Sequence, residues 1–351
     1  MKIYFPKTHL NFDKRGYLTP ILQPYFKHKG FTDEERITVY GVSEHDFTFV
    51  DSIENSDIAI LPMTWTYYIQ REKRQQAIDF IIEAQKYMLK VLIVNNGDFG
   101  YKIPDFKNVL VLRQGGDRSK FPSNHVGLPV FIKDPLPKWF NRSSTITRTY
   151  TETPTVGFCG QVNSSILNAI KETFKVVYRN IGYALGFRMQ LPQPIISTSY
   201  LRYRFLKSLE NSSLVKTNFI YRKKHGGGID FHRSASHIAK EFFENIVASD
   251  YVLCYRGAGN FSVRFYETLA LGRIPVLINS ECILPLSDSI DWKRHVVWVE
   301  TNERHIIAQK VFEFHKTLDE QSFNQLQVDN RTLWREKMRL GGYFKALFDT
   351  L

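Results

Sequence analysis

The block from 250 to 292, DYVLCYRGAGNFSVRFYETLALGRIPVLINSECILPLSDSIDW, reads as strand, glycine loop, helix and strand in immediate succession. Tyr251-Val252-Leu253-Cys254-Tyr255 is short, apolar and β-prone, and Ile274-Pro275-Val276-Leu277-Ile278 is a second buried run of the same kind. Ser262 is placed to cap the helix between them and Gly272 to stop it. Strands joined by a helical crossover lie parallel, so a chain carrying this block must build a parallel sheet flanked by helices. Its loop then falls at the carboxyl edge of that sheet, where ligands bind.

The loop carries Arg256, Gly257, Gly259 and Ser262, and the helix after it offers free backbone N–H groups and the positive end of its dipole. Together these suit a phosphate. Arg264 and Glu267, three residues apart, share one helix face. A cation near the helix start and a carboxylate one turn deeper could grip a diphosphate and its ribose hydroxyls. The same spacing also fits an unliganded crossover with a solvated ion pair.

The rest of the chain repeats the alternation. Ile3-Tyr4-Phe5, Ile37-Thr38-Val39-Tyr40, Ile58-Ala59-Ile60-Leu61, Val91-Leu92-Ile93-Val94 and Val109-Leu110-Val111-Leu112 read as strands, with a helix over 70–89. From Asp134 the stretch DPLPKWFNRSSTITRTYTETP, rich in Pro, Ser and Thr, reads as a linker. Alternation resumes at Thr155-Val156-Gly157-Phe158 and passes through Phe219-Ile220-Tyr221 and a helix over 235–247; the last fifty residues are helical. The expected division is a Rossmann-like half over 1–140, a linker over 141–154, a second Rossmann-like half over 155–330 and a terminal helix over 331–351.

The 250–292 block resembles the signature segment of the exostosin-type glycosyltransferases at Arg256, Gly257, Ser262, Arg264, Glu267, Gly272, Pro275, Leu284, Pro285, Ser287, Asp288, Asp291 and Trp292. It departs from that pattern at Val263, where a second basic residue is usual, and at Asn279-Ser280, where Ser-Asp is typical. The resemblance implies a GT-B fold, two Rossmann-like domains facing across a cleft with the terminal helix packed back on the first. It implies transfer of a sugar from a UDP-sugar held by the second domain to a glycan or lipid-linked saccharide held by the first. Gly259 stands where retaining relatives of the wider class carry a second glutamate, which implies inversion.

Other segments add candidates. Gly160-Gln161-Val162-Asn163-Ser164 follows a strand and precedes a helix, so Gly160 and Asn163 could approach a diphosphate; Arg222 and Lys224, beside Gly226-Gly227-Gly228, offer cations and a flap. Attack by an acceptor hydroxyl needs a base from the first half, for which Asp98, His9, Asp13 and His125 are candidates near strand ends. Cationic side chains would meet the leaving-group charge without a metal or other cofactor, and the chain contains no DxD motif. No Gly-x-Ser-x-Gly elbow accompanies His225-Gly226-Gly227-Gly228, which sets a serine hydrolase aside. The alternatives are an NAD(P)-dependent oxidoreductase, with Gly257-x-Gly259-x-x-Ser262 as its fingerprint and Glu281 as its ribose acid, or a non-catalytic nucleotide- or sugar-binding protein.

At 43% hydrophobic and 23% charged residues the chain is globular. No run approaches the roughly 18 apolar residues of a membrane span, and the start MKIYFPKTHLNFDKRG lacks a leader pattern. Cys159, Cys254 and Cys282 form no CxxC pair, so neither a disulfide framework nor a zinc site is expected. A net charge of +12 suits an anionic donor, an anionic polysaccharide or peripheral contact with an anionic membrane. Nucleic acid is not expected, because the basic residues are spread out and no recognition motif is present. A sequon starts at Asn260 inside the phosphate loop, where a glycan would block the site, so the expectation is a bacterial or viral cytoplasmic enzyme, peripheral at most to the inner membrane face.

Overall fold

The computed structural model describes residues 1–28, 30–195, 197–222 and 235–351. Strands β1 (Lys2–Tyr4), β2 (Thr48–Val50), β3 (Ile58–Ile60), β4 (Val91–Asn95), β5 (Val109–Arg113) and β6 (His125–Gly127) form a six-stranded sheet in the order β2-β1-β3-β4-β5-β6. Strands β7 (Thr155–Gln161), β8 (Lys216–Arg222), β9 (Tyr251–Cys254), β10 (Ile274–Asn279) and β11 (Val297–Glu300) form a five-stranded sheet in the order β11-β10-β9-β7-β8. Every strand pairing within both sheets is parallel.

Both faces of each sheet are buried, and the period of two sorts side chains between them. In the first sheet Ile60, Leu92, Val94 and Leu112 join one core, while Ala59, Leu61, Ile93 and Val111 join another. In the second, Val156, Leu253 and Val276 fill a third core, while Val252, Cys254 and Leu277 face the first of these clusters. That shared cluster therefore spans both halves. Burying each such aliphatic side chain stabilises by about 1.5–3 kcal/mol.

One expected strand is a helix. Residues 37–40 end the helix Asp33–Tyr40, which begins at a capping box between Thr32 and Glu35 and stops at Gly41 in the left-handed region (φ 67°). A cap at one end and a stop at the other override the β-branched run between them. The expected helix over 70–89 is shorter, Arg74–Lys86, preceded by Trp65–Gln70.

The stretch after β6 does not hang free. Asp134 caps the helix Pro135–Phe140 and pairs with Arg331 at 2.5 Å, Arg148 pairs with Asp250 at 2.5 Å, and the Arg148 N–H donates to Gln327 at 2.8 Å. After the helix Glu320–Leu333, a π-helical turn Trp334–Met338 redirects the chain into the helix Leu340–Phe348. That helix lies on the first half: the Tyr343 hydroxyl donates to the Gly127 carbonyl at 2.7 Å, and Arg339 donates to the carbonyls of Ile37 and Thr38. Two parallel α/β halves across a cleft, with the last helix returned to the first, make a GT-B fold.

Candidate functional site

The cleft between the halves has a volume of about 1550 Å³. Its wall in the second half is the carboxyl edge of the sheet, where the loops after β7, β9, β10 and β11 all contribute. Strand β7 lies between β8 and β9 in the sheet order, so the chain reverses direction of progress there. The crevice between the loops after β7 and β9 is a topological switch point, the place where such sheets bind ligands.

Five arginines line the cleft, Arg179, Arg202, Arg222, Arg256 and Arg264, and the last four belong to the second-half wall that holds this crevice. Arg256, in the loop after β9, donates to the Gln193 side chain at 3.0 Å and the Ala258 carbonyl at 3.1 Å and lies 3.7 Å from Asp117 of the first half. Arg264, in the first turn of the helix Val263–Ala270, donates to the Cys159 carbonyl at 2.7 Å and lies 4.3 Å over the Phe158 ring. Arg202 bridges the two switch-point loops, donating to the carbonyls of Gln161 and Arg256 at 2.9 Å each. Burial lowers the pKa of all three, that of Arg202 to about 10. Each retains one buried Nε–H without a partner among the described residues. Three desolvated cations with unspent donors form a site that gains most from a polyanion.

Arg222, at the end of β8, is already engaged: it donates to Glu241 at 2.8 Å and to the Ile238 carbonyl at 2.8 Å. Ser262 occupies the N-cap of the helix Val263–Ala270 and lines the cleft with Val263 and Arg264; its side chain makes no cap bond, and of the first-turn N–H groups that of Phe265 donates to the Ser262 carbonyl at 3.2 Å. Glu267 lies one turn deeper and has no hydrogen-bond partner among the described residues. Burial raises its pKa to about 7, against the pull of Arg264. A carboxylate so placed can accept from two adjacent hydroxyls.

Two of the glycines also make room for neighbouring protein. A Cβ at Gly160 would stand 2.6 Å from the Arg264 guanidinium, so this glycine makes room for an arginine. A Cβ at Gly259 would stand 2.8 Å from the Asp98 backbone, so the loop is closed against the first half. Gly257 has open space around it and remains free for a close ligand approach. Glu281 is likewise turned away from a ribose role: its carboxylate accepts from Ser119 of the first half.

The first half presents Asp98, Phe99, Asp117, Ser119 and Lys120 to the cleft. Asp98 is exposed in the loop after β4. His9 does not reach the cleft. Pro6 and the short turn Lys7–His9 fold it under the sheet edge, where it meets the Tyr68 hydroxyl at 3.1 Å and the ring of Phe80, and burial lowers its pKa to about 4. Asp13 is exposed in a turn whose N–H is capped by Asn11, away from the cleft wall. His125 stacks on Phe121 beside Arg113, which with burial lowers its pKa to about 4. Asn163 caps Ser165 and does not line the cleft, and Lys224 lies outside the described residues. Arg202 and Asp117 escaped the sequence reading, since each sits in a run with no local motif; only the fold brings them to Arg256.

The Leu284–Trp292 stretch is a brace. Pro285 bridges Gly127 of the first sheet, and the Trp292 indole donates to the Pro285 carbonyl at 3.0 Å. Asn260 ties the same junction, donating to the Gly116 carbonyl, to Asp117 and to the Ser280 carbonyl at 3.2, 2.8 and 2.6 Å. It is 1% exposed, so its sequon is closed by packing and says nothing about location. Among the described residues no helix is long and apolar enough to cross a membrane.

Residues 196–311 match the model of the Exostosin GT47 domain. That segment holds Arg202, Arg222, Arg256, Ser262, Arg264 and Glu267 of the cleft lining. Exostosin-1 of Drosophila melanogaster is 30% identical over 102 residues, 29% of this chain and 13% of that protein. The Exostosin-1 homolog of Caenorhabditis elegans is 41% identical over 59 residues, 17% of this chain and 15% of that protein. The chain thus spans a small part of these relatives' length. A TarM variant of S. aureus in complex with fondaparinux, alpha-GlcNAc-glycerol and UDP aligns over 83% of this chain and 54% of its own, at 9% identity and a TM-score of 0.37.

Proposed function

We propose that the protein is a glycosyltransferase that takes a sugar from a nucleoside diphosphate donor, UDP in preference, and transfers it with inversion to a hydroxyl of a glycan or lipid-linked saccharide. The observation that carries this reading is the convergence of Arg202, Arg256 and Arg264 on the start of the helix Val263–Ala270, each with a buried Nε–H that has no partner among the described residues, with Glu267, likewise without a hydrogen-bond partner among them, one turn behind. The diphosphate lies among the guanidiniums and the Ser262 helix start, and the ribose hydroxyls reach Glu267.

Asp98, which lines the cleft where the first half meets the loop after β9, serves as the base. The acceptor O–H proton passes to its carboxylate as the oxygen bonds to the anomeric carbon. The bond from that carbon to the diphosphate breaks on the opposite face, and its electron pair leaves on the diphosphate, where the guanidiniums stabilise the charge. This route requires no metal.

Calorimetric titration with UDP, GDP and NAD tests the site. UDP is expected to bind the wild-type chain, and Glu267→Ala and Arg256→Ala to weaken it by roughly tenfold or more. NAD binding without any nucleoside diphosphate binding would overturn the reading in favour of the oxidoreductase.

A further inference from the structure

The helix Ile166–Ala184 turns a mixed polar side inward and an apolar side outward. Its inward side carries buried Ala169, Glu172 held by the hydroxyls of Ser197 and Ser199, cleft-lining Val176, and Arg179, which lies 3.8 Å over the Phe99 ring of the first half. The outward side carries Leu167, Ile170, Phe174, Tyr178, Ile181 and Leu185 at steps of three and four residues, a single stripe at about 100° per residue. These side chains are bare: Leu167 is 73%, Phe174 69% and Tyr178 70% exposed, and Phe187 beyond the helix end is 84% exposed. A contiguous apolar stripe of about 27 Å on the surface of a soluble fold marks a contact surface.

We infer that this stripe is an interfacial anchor that lies flat in the headgroup region of an anionic lipid bilayer. The charges around it select that occupant. Lys171, Lys175 and Arg188 flank the stripe exposed, and the helix's one acidic residue, Glu172, is turned inward onto two serines. An apolar face edged by lysines, with aromatic rings along it, is the pattern that enters a lipid interface and draws on anionic headgroups. A second copy docked across a two-fold axis would instead bring the same lysines together. Because the opposite side of this helix lines the cleft, docking holds the cleft within about one helix diameter, roughly 10 Å, of the lipid surface. The anchor does not depend on the chemistry assigned to the cleft.

Flotation of the full chain with vesicles tests it, using phosphatidylcholine alone and phosphatidylcholine mixed with phosphatidylserine. The wild-type chain is expected to float with the anionic vesicles, weakly with the neutral ones, and to be released by high salt. The triple variant Phe174→Gln, Tyr178→Gln, Phe187→Gln and the double variant Lys171→Gln, Arg188→Gln are each expected to lower partitioning by roughly tenfold or more with an unchanged melting temperature. Absence of flotation, equal flotation with both vesicles, or a lipid-free dimer that the triple variant converts to monomer would each overturn the proposal.

Discussion

Glu267 is the residue whose environment says most about the site. Its pKa is raised from 4.5 to about 7 chiefly by burial, so near neutral pH it is divided between two protonation states. Between these values the folded protein holds a proton that the unfolded chain has released, so stability falls as pH rises through that window. The expected outcome is that urea unfolding from pH 5 to 7.5 shows this fall in the wild-type chain and a smaller one in Glu267→Gln. Hydroxyls donating to the carboxylate favour its ionised form, so UDP binding at pH 7 should release a proton from the wild-type chain and none from Glu267→Gln. Titration in buffers of different ionisation enthalpy reads that release directly.

At the scale of elements, the strand–loop–helix–strand block could be recognised from its sequence because every link in it is local: an apolar run, a cap, a stop and a second apolar run. The helix Asp33–Tyr40 replaces the strand expected at 37–40 for the complementary reason: its decisive signals, Thr32 with Glu35 and Gly41, lie outside the β-branched run they overrule. The loop after β9 was legible as a phosphate loop but not as a junction, because the atoms that Gly259 and Asn260 touch come from residues 98, 116 and 117. Replacing Asn260 tests that junction. Asn260→Ala leaves the Gly116 and Ser280 carbonyls and Asp117 each short of a donor, at an expected cost of about 1–3 kcal/mol by urea unfolding.

Across the whole molecule, the two-sheet plan is readable from the alternation of short apolar runs and helical segments, and the cationic wall is readable at Arg222, Arg256 and Arg264, with Glu267 as its carboxylate. Arg202 is not, because its place beside Arg256 is set by sheet order, and His9 was misplaced because a strand-end position does not reveal that the following turn folds inward. The halves are also joined by more than a linker. A Cβ on Gly341 would lie 1.9 Å from the Gly41 carbonyl oxygen, so the terminal helix meets the first half backbone to backbone. Gly341→Val is expected to lever that helix away and to destabilise the chain by about 2 kcal/mol or more, read as a lower urea midpoint.

The return of the last helix also sets an order of events during synthesis. Val42 and Phe47 belong to the same core as Leu340, Phe344 and Phe348, with the rings of Phe47 and Phe348 centred 5.8 Å apart. The first sheet therefore receives part of its cover from residues made roughly 300 positions later in the chain. At about 5–20 residues per second, that apolar surface stays bare for roughly tens of seconds on every nascent chain. The interval gives chaperones a defined target and makes the unfinished first half the species most prone to aggregate.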